Sequence, residues 1–357
     1  MQVDYIIVGQ GVCGTFLSYY LQRAGCRVLV IDQYQAFSAS RIASGVINPI
    51  TGRRLVKTWE IDTIMPFSVQ AYQDIGKALG SILIRQCNTI GFHTTPQMQL
   101  AFEERIRESG DFLLRPADQD YWRKFFRYPF GVGEINPTWL VDLSGLLTAW
   151  RESLRENQSL LADVFEIKEC QCSPAGVVYR DITADKIIFC DGVAGMSHPY
   201  FSLLPYARNK GQALIAAIPG LPQTNIFKQA ITIVPWRDHL FWIGASFEWE
   251  YTHTTPDQTF RENTIRQLDN WLQLPYEILD HLASERPANL ERRPFVGIHP
   301  HLPAVGILNG MGTKGCSLGP YFASQLADHL LKGTAIHPQA DVSRFSKILG
   351  RDLSAKN

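Results

Sequence analysis

Gly9, Gly11 and Gly14 stand at the spacing G-x-G-x-x-G, directly after the apolar run Tyr5 to Val8. Each has a mechanical task. Gly9 permits a tight turn out of a strand, Gly11 lets backbone approach a pyrophosphate, and Gly14 lets a helix pack on that strand. A helix starting here turns free N–H groups and its positive dipole end toward the phosphates. Asp32 closes the next apolar run, R-V-L-V-I-D, where a carboxylate can accept hydrogen bonds from ribose hydroxyls. The chemistry indicated is the holding of a dinucleotide, and the motif alone does not choose between NAD and FAD. A phosphate-free α/β turn is the competing reading. The flanks favour the dinucleotide: Phe16, Leu17, Tyr20, Leu21 and Ala24 recur at helical spacing, Gly25 is a helix stop, and Val28 to Ile31 read as a buried strand.

The other reactive residue types form no second self-sufficient motif. The seven cysteines (13, 26, 87, 170, 172, 190 and 316) make no C-x-x-C pair, and their odd number suits free thiols in a reducing compartment. There is no H-E-x-x-H, and His299 and His301 flank a proline as in a surface turn, so no metal is expected. Across 357 residues, 34 basic side chains balance 34 acidic ones, and no global field favours nucleic acid or an anionic membrane. No apolar run approaches the length of a membrane span. The fingerprint begins so near the first residue that no secretory leader is visible. The expectation is a cytoplasmic protein of two domains, or one with an inserted lobe.

The elements that must position these residues follow along the chain. After Asp32 comes a small, polar loop, then the basic T-G-R-R-L-V-K, then Ile61, Ile64, Phe67, Ala71, Ile75 and Leu79 at helical spacing. The I-G-F-H-T stretch is strand-like, 97–109 reads as a charged amphipathic helix, and 143–154 as another helix. V-F-E-I-K-E-C reads as a strand, G-V-V-Y-R-D-I-T as a hairpin, and A-D-K-I-I-F-C-D-G as a buried strand. Residues 211–250 alternate as antiparallel strands do, and 257–274 is helical. V-G-I-L-N-G-M-G-T-K-G is a strand entering a second glycine turn, closed by a helix bearing Leu318, Phe322, Leu326 and Leu330. Strand–glycine turn–helix units thus begin and end the chain, with the antiparallel material between them.

This order resembles the D-amino-acid oxidase and glycine oxidase family of flavoproteins, which includes sarcosine oxidase and the oxidoreductase domain of a bifunctional tRNA-modifying enzyme. Four stretches carry the resemblance: the fingerprint with Asp32, S-A-S-R-I-A-S-G at 38–45, I-I-F-C-D-G at 187–192, and N-G-M-G-T-K-G-C-S-L-G-P at 309–320. K-G-Q at 210–212, I-G-A-S at 243–246 and E-R-R-P-F-V-G at 291–297 support it. The resemblance implies an α/β fold. A Rossmann-like, glutathione-reductase-like FAD-binding domain of the D-amino-acid oxidase type (1–79, 141–212 and 291–357) would interleave with an antiparallel-sheet substrate domain (80–140 and 213–290).

By that resemblance non-covalent FAD would be held by Gly9, Gly11, Val12, Cys13 and Gly14, and by Asp32 and Gln33. Ser40, Arg41, Ala43, Ser44 and Gly45 would wrap the pyrophosphate and flavin edge, Arg41 offering charge-assisted donors. Val164 would pair its backbone with adenine, and Cys190, Asp191 and Gly192 would pass close to the cofactor. Gly310, Met311, Gly312, Thr313, Lys314 and Gly315 would aim a helix start at the flavin N1–C2=O edge, with Lys314 stabilising the charge of the reduced flavin. Cys316 does not match the covalent attachment position of sarcosine oxidases. Asp32 stands where most FAD members carry Glu, and Gln10 replaces a small residue and would crowd the turn.

The resemblance also implies oxidation of a C–N bond in an amino acid or secondary amine. Hydride would pass from Cα to flavin N5, leaving an imine that water hydrolyses, with oxygen the expected acceptor. A neutral bound amine needs no dedicated base. Arg293, Tyr251 and Lys314 are the candidate catalytic residues. Arg293 precedes a proline and would clamp the substrate carboxylate, with Arg292 the one-residue alternative. Tyr251 would close the pocket. Arg53, Arg54 and Lys57 form a basic knot; facing the pocket, it would favour a modified tRNA base as substrate, against which neutral overall charge weighs. An FAD-binding protein without turnover is the third reading. The expected partners are a small amine or amino acid and oxygen, with neither membrane nor nucleic acid; the oligomeric state is left open.

Overall fold

The computed structural model describes residues 1–354 apart from 53 and 109, with backbone alone for 352–354. Apolar strands buried on both faces assemble a first sheet. Leu160–Leu161, Val28–Ile31, Gln2–Val8, Ile182–Phe189 and Leu302–Asn309 run parallel in that order. Its faces follow from the period of two along a strand. Tyr5, Ile7, Val28 and Val30 pack with Phe16, Leu17, Tyr72 and Leu326 on one side, while Ile6, Val8, Leu29 and Ile31 meet Tyr179, Phe201 and Phe295 on the other. Four helices cover the first side: Val12–Arg23, Ile61–Ala78, Leu143–Glu156 and Gly315–Lys332. The hairpin of Cys170–Ser173 and Gly176–Tyr179 extends this sheet.

A second, mostly antiparallel sheet runs in the order Glu277–Arg286, Asn209–Ala217, Phe241–Gly244, Thr232–Pro235, Ile226–Lys228, Thr89–Phe92, Val132–Ile135, Leu113–Leu114. One face buries Ile90, Leu214, Phe227, Ile233 and Ile243 against helix Gln258–Trp271 and the aromatic rings of Trp122 and Phe126. The opposite face carries Ala213, Ile226, Val234 and Trp242, and it roofs the cleft described below. The large sheets of a mixed α/β protein are as the sequence leads one to expect. Strand Asn209–Ala217 runs across the expected boundary at 212, so Lys210 and Gln212 belong to the second sheet.

Two elements differ from the reading of the sequence. V-F-E-I is not a strand: Val164 to Glu166 are irregular before a short turn of 3₁₀ helix at Ile167–Glu169. Phe165 turns in to stack on Tyr179 at 4.9 Å, which leaves Val164 outward. Glu277–Arg286, ten residues long, was not apparent as a strand, because an edge strand carries Glu277, Asp280, His281 and Glu285. Among the described residues no helix is long and apolar enough to cross a membrane, and no cluster of residues could hold a metal ion.

Candidate active site

A continuous cleft of about 1130 Å³ is lined by residues of both sheets. At one end the chain leaves strand Gln2–Val8 through Gly9, whose φ of +97° suits glycine and whose added Cβ would lie 2.7 Å from the Cys190 carbonyl oxygen. A Cβ on Gly14 would lie 1.9 Å from the Gly9 carbonyl oxygen, so Gly14 packs behind the wall formed by Gly9, Gly11, Val12 and Cys13. The Val12 N–H, at the helix start, donates to Ser40 Oγ (3.2 Å). Glycine backbone and a helix N-terminus, with Ser40 Oγ on its first N–H, make a cradle suited to a pyrophosphate.

Asp32 sits on the wall under firm control. Its Oδ1 accepts from Arg151 Nη1 (2.6 Å) and the Tyr34 N–H, and its Oδ2 from the Gln10 N–H (2.9 Å). Gln10 does not crowd the turn. Its side chain is buried, donating to the Leu147 carbonyl (2.9 Å) and Thr15 and accepting from Arg41 Nη2. The buried Arg151, on helix Leu143–Glu156, is a site-positioning residue that the sequence reading missed; its signal is an arginine on the apolar face of a helix. Arg41 lies over the Tyr34 ring at 4.2 Å, half-buried, and its pKa is lowered by desolvation.

Gln33, Ser40, Ala43, Ser44, Val164, Cys190, Asp191 and Gly192 also line the cleft. Gly45 does not: its missing side chain faces the Val141 carbonyl. The second glycine turn is fastened to the first wall, since Asn309 Nδ2 donates to the Gly192 carbonyl (2.8 Å). Met311, Gly312, Thr313, Gly315 and Cys316 line the cleft, whereas Gly310 sits behind it with its carbonyl taken by Asn289. Burial pushes the Cys316 thiol up to about 12. Lys314 Nζ stands behind the wall, donating to Thr58 Oγ1 (3.2 Å); burial, reinforced by Lys228, lowers its pKa to about 8.

At the other end the second sheet forms the roof. Ile226, Lys228, Thr232, Val234 and Trp242 point into the cleft, while Phe227, Ile233 and Ile243 point away. Arg286 ends strand Glu277–Arg286 on this wall. Its Nη1 donates to Asn209 Oδ1 (2.6 Å) and the Ser246 carbonyl (3.1 Å), and Phe247 stacks on its guanidinium at 4.8 Å. The guanidinium occupies the space of a Gly211 side chain, for a Cβ there would come 1.8 Å from Nη2. Arg286 has no ion pair among the described residues. Desolvation lowers its pKa to about 10, so it remains a cation at neutral pH. The next residue, Pro287, accepts from the Gly312 N–H (3.1 Å), which couples this arginine to the second glycine turn.

The structure does not bring Arg293 to the cleft, which corrects the expectation. Its guanidinium lies over Trp59 at 4.3 Å and donates to Gln339 (3.0 Å), and neither it nor Arg292 lines the wall. The sequence holds three arginine–proline pairs, at Arg115, Arg286 and Arg293, and Arg286–Pro287 is the one that faces the cleft. Tyr251 also stays off the wall, donating to Glu285, which does line it. Lys57 is engaged by Asp62 (3.0 Å) and Asp111 (2.7 Å), and Arg54 is exposed; Arg53 lies outside the described residues.

The whole architecture has close counterparts. The glycine oxidase of Geobacillus kaustophilus superposes with a TM-score of 0.79 at 17% identity, covering 97% of this chain and 98% of that one. The iminodiacetate oxidase of Chelativorans sp. BNC1 gives 0.76 at 18% identity, covering 94% and 97%. At such identities the likeness is one of fold. In sequence, the bifunctional protein ThiO/ThiG of Trichormus variabilis is 26% identical over 97% of this chain, and the chain spans 56% of that protein's length. Residues 4–329 match the DAO family, described as FAD dependent oxidoreductase, and with most of the chain inside that match the protein belongs to this FAD-dependent family.

Proposed function

We propose that this FAD-dependent oxidoreductase oxidises the C–N bond of an amino acid or secondary amine bearing a carboxylate, and that Arg286 binds that carboxylate. The observation that carries the reading is the Arg286 guanidinium, set on the cleft wall with Nη2 and Nε free of hydrogen bonds among the described residues. A carboxylate is the anion that a guanidinium fork fits best. Two structural neighbours are named as oxidases of glycine and of iminodiacetate, both small carboxylate-bearing amines, which supports the same substrate class.

The residues that would hold FAD are the two glycine turns, Asp32 with Arg151 behind it, Ser40, Arg41, and the stretch Cys190 to Gly192. When bound, FAD supplies the acceptor for the hydride that leaves Cα with its electron pair. The amine nitrogen gives up a proton to solvent, the C=N bond forms, and water then hydrolyses the imine. The chain's share is positioning and exclusion. Arg286 fixes the carboxylate, Gly211 leaves room for the guanidinium, and Ile226, Val234 and Trp242 keep bulk water from the reacting carbon. Lys314, behind the second glycine turn, supplies positive potential for the reduced cofactor. Oxygen as final acceptor and a cytoplasmic location belong to the same reading, with FAD held non-covalently by a protein whose Cys316 thiol stays protonated. Lys57 is paired with carboxylates, and neither it nor Arg54 lines the cleft wall, so these two residues give no support to an RNA substrate; Arg53 lies outside the described residues.

The test is anaerobic mixing of the yellow holoprotein with amino acids of both chiralities and N-substituted glycines. At least one should bleach the oxidised flavin spectrum within seconds. Bleaching by none of them would refute the proposed substrate class.

A further inference from the structure

Cys170 and Cys172 stand two apart on strand Cys170–Ser173, so both side chains leave the same face of the sheet. Cys170 is buried in the apolar cluster of Tyr179, Ile182 and Phe201, and Cys172 lies partly exposed at its border. Their Sγ atoms approach to 3.8 Å, one thiol hydrogen-bonded to the other. The Tyr200 hydroxyl, packed on the same cluster, also donates to Cys172. The Cys170 S–H and the Tyr200 O–H together favour a thiolate on the more exposed sulfur, so the Cys172 pKa is lowered, whereas Cys170 is raised and keeps its proton. The remaining five cysteines are unlike this pair. Cys13, Cys26, Cys87, Cys190 and Cys316 are each pushed up by burial, and none of them bonds to a second sulfur among the described residues.

We propose that Cys170 and Cys172 are a modification site for hydrogen peroxide, which converts the pair reversibly to a disulfide. The Cys172 thiolate attacks one peroxide oxygen and the O–O bond breaks. Cys172 becomes a sulfenic acid, and the leaving hydroxide takes a proton from solvent to become water. The Cys170 sulfur then attacks the Cys172 sulfur, the S–O bond breaks, and a second water leaves with the Cys170 proton. Two sulfurs thus give up two electrons to one peroxide. The strand is the last of its sheet and pairs with Gly176–Tyr179 alone, so a small oxidant can reach Cys172 and the backbone has room to pinch. Two residues of a strand span roughly 6.6 Å, near the upper limit of Cα separation in a disulfide. A bond closed there is readily reduced by a small dithiol, which makes the change reversible. The site lies apart from the cleft and does not depend on the amine-oxidation reading, although a flavin reoxidised by oxygen would yield the peroxide on the same molecule.

The experiment treats the FAD-loaded protein, reduced and then freed of reductant, with an equivalent of hydrogen peroxide at neutral pH, followed by alkylation and trypsin. Cleavage after Lys168 and Arg180 leaves Cys170 and Cys172, and no other cysteine, on one peptide. That peptide should lose two hydrogens and escape alkylation, and dithiothreitol should restore both thiols. Folded protein should react on the order of tenfold faster than urea-unfolded protein, in which the same C-x-C lacks the Tyr200 contact. Cys170→Ser should stop at a sulfenic acid on Cys172, trapped by dimedone. Cys172→Ser should slow oxidation at Cys170 on the order of tenfold or more. A wild-type peptide that stays reduced while other cysteines are oxidised overturns the proposal, and this arm needs no variant to fold. So do equal rates in folded and unfolded protein, or oxidation of Cys172 to a sulfinic acid without the bond to Cys170.

Discussion

The guanidinium of Arg286 and the ammonium of Lys314 respond differently to pH. Arg286, lowered to about 10, stays charged through the neutral range. Lys314, lowered to about 8 chiefly by burial, does not. Its folded pKa lies below the ordinary 10.5, so between about 8 and 10.5 the unfolded chain holds the extra proton and stability rises with pH. Below about 8 the folded protein carries the full cost of a buried charge. Anion binding has the opposite sign, since the protonated lysine is the form that attracts it. The positive potential it lends the reduced cofactor should therefore fade as pH climbs through about 8, so the flavin midpoint potential should show an added pH dependence there that is absent in Lys314→Met. The same pH dependence of the potential in wild type and Lys314→Met would show that Lys314 does not act on the cofactor. Both roles were only half visible in the sequence. Lys314 stood out because it follows a glycine turn, but Arg286 and Arg293 both precede proline, and only the exposure of one to the cleft separates them.

Strands Asn209–Ala217 and Glu277–Arg286 pair along their whole length, and this register sets Gly211 beside the Arg286 guanidinium. Gly211→Ala should push the guanidinium from its seat. Carboxylate affinity should then drop on the order of tenfold or more, as lost positioning does, with FAD content unchanged. Unchanged affinity would mean that the arginine has other room. Elements with strong periodicity were legible: the fingerprint strand and helix, Leu143–Glu156, Gln258–Trp271 and Gly315–Lys332. Glycine signals were legible where only glycine meets the steric demand, as at Gly9 and Gly14. Glu277–Arg286 was not, because its charged edge-strand pattern carries little apolar alternation. The irregular backbone at Val164 was not either, since the inward stacking of Phe165 on Tyr179 is a tertiary contact that outweighs a strand-like run.

The cleft draws its walls from both ends of the chain and from both sheets, so filling it should brace the whole molecule. Removing FAD should lower the melting temperature, and restoring it at about 100 times its Kd should return roughly 2.7 kcal/mol of stability. Equal melting of apo- and holoprotein would argue against a shared cradle. The wall is shared, yet the proposed chemistry converges on one cation. The most direct measurement is therefore the anaerobic reductive reaction of the wild type, Arg286→Met and Arg293→Met with whichever carboxylate-bearing amine bleaches the wild type. The account predicts that Arg286→Met weakens substrate binding by about 2–5 kcal/mol while Arg293→Met reacts nearly as the wild type does. A normal Arg286→Met, or a loss confined to Arg293→Met, would contradict it.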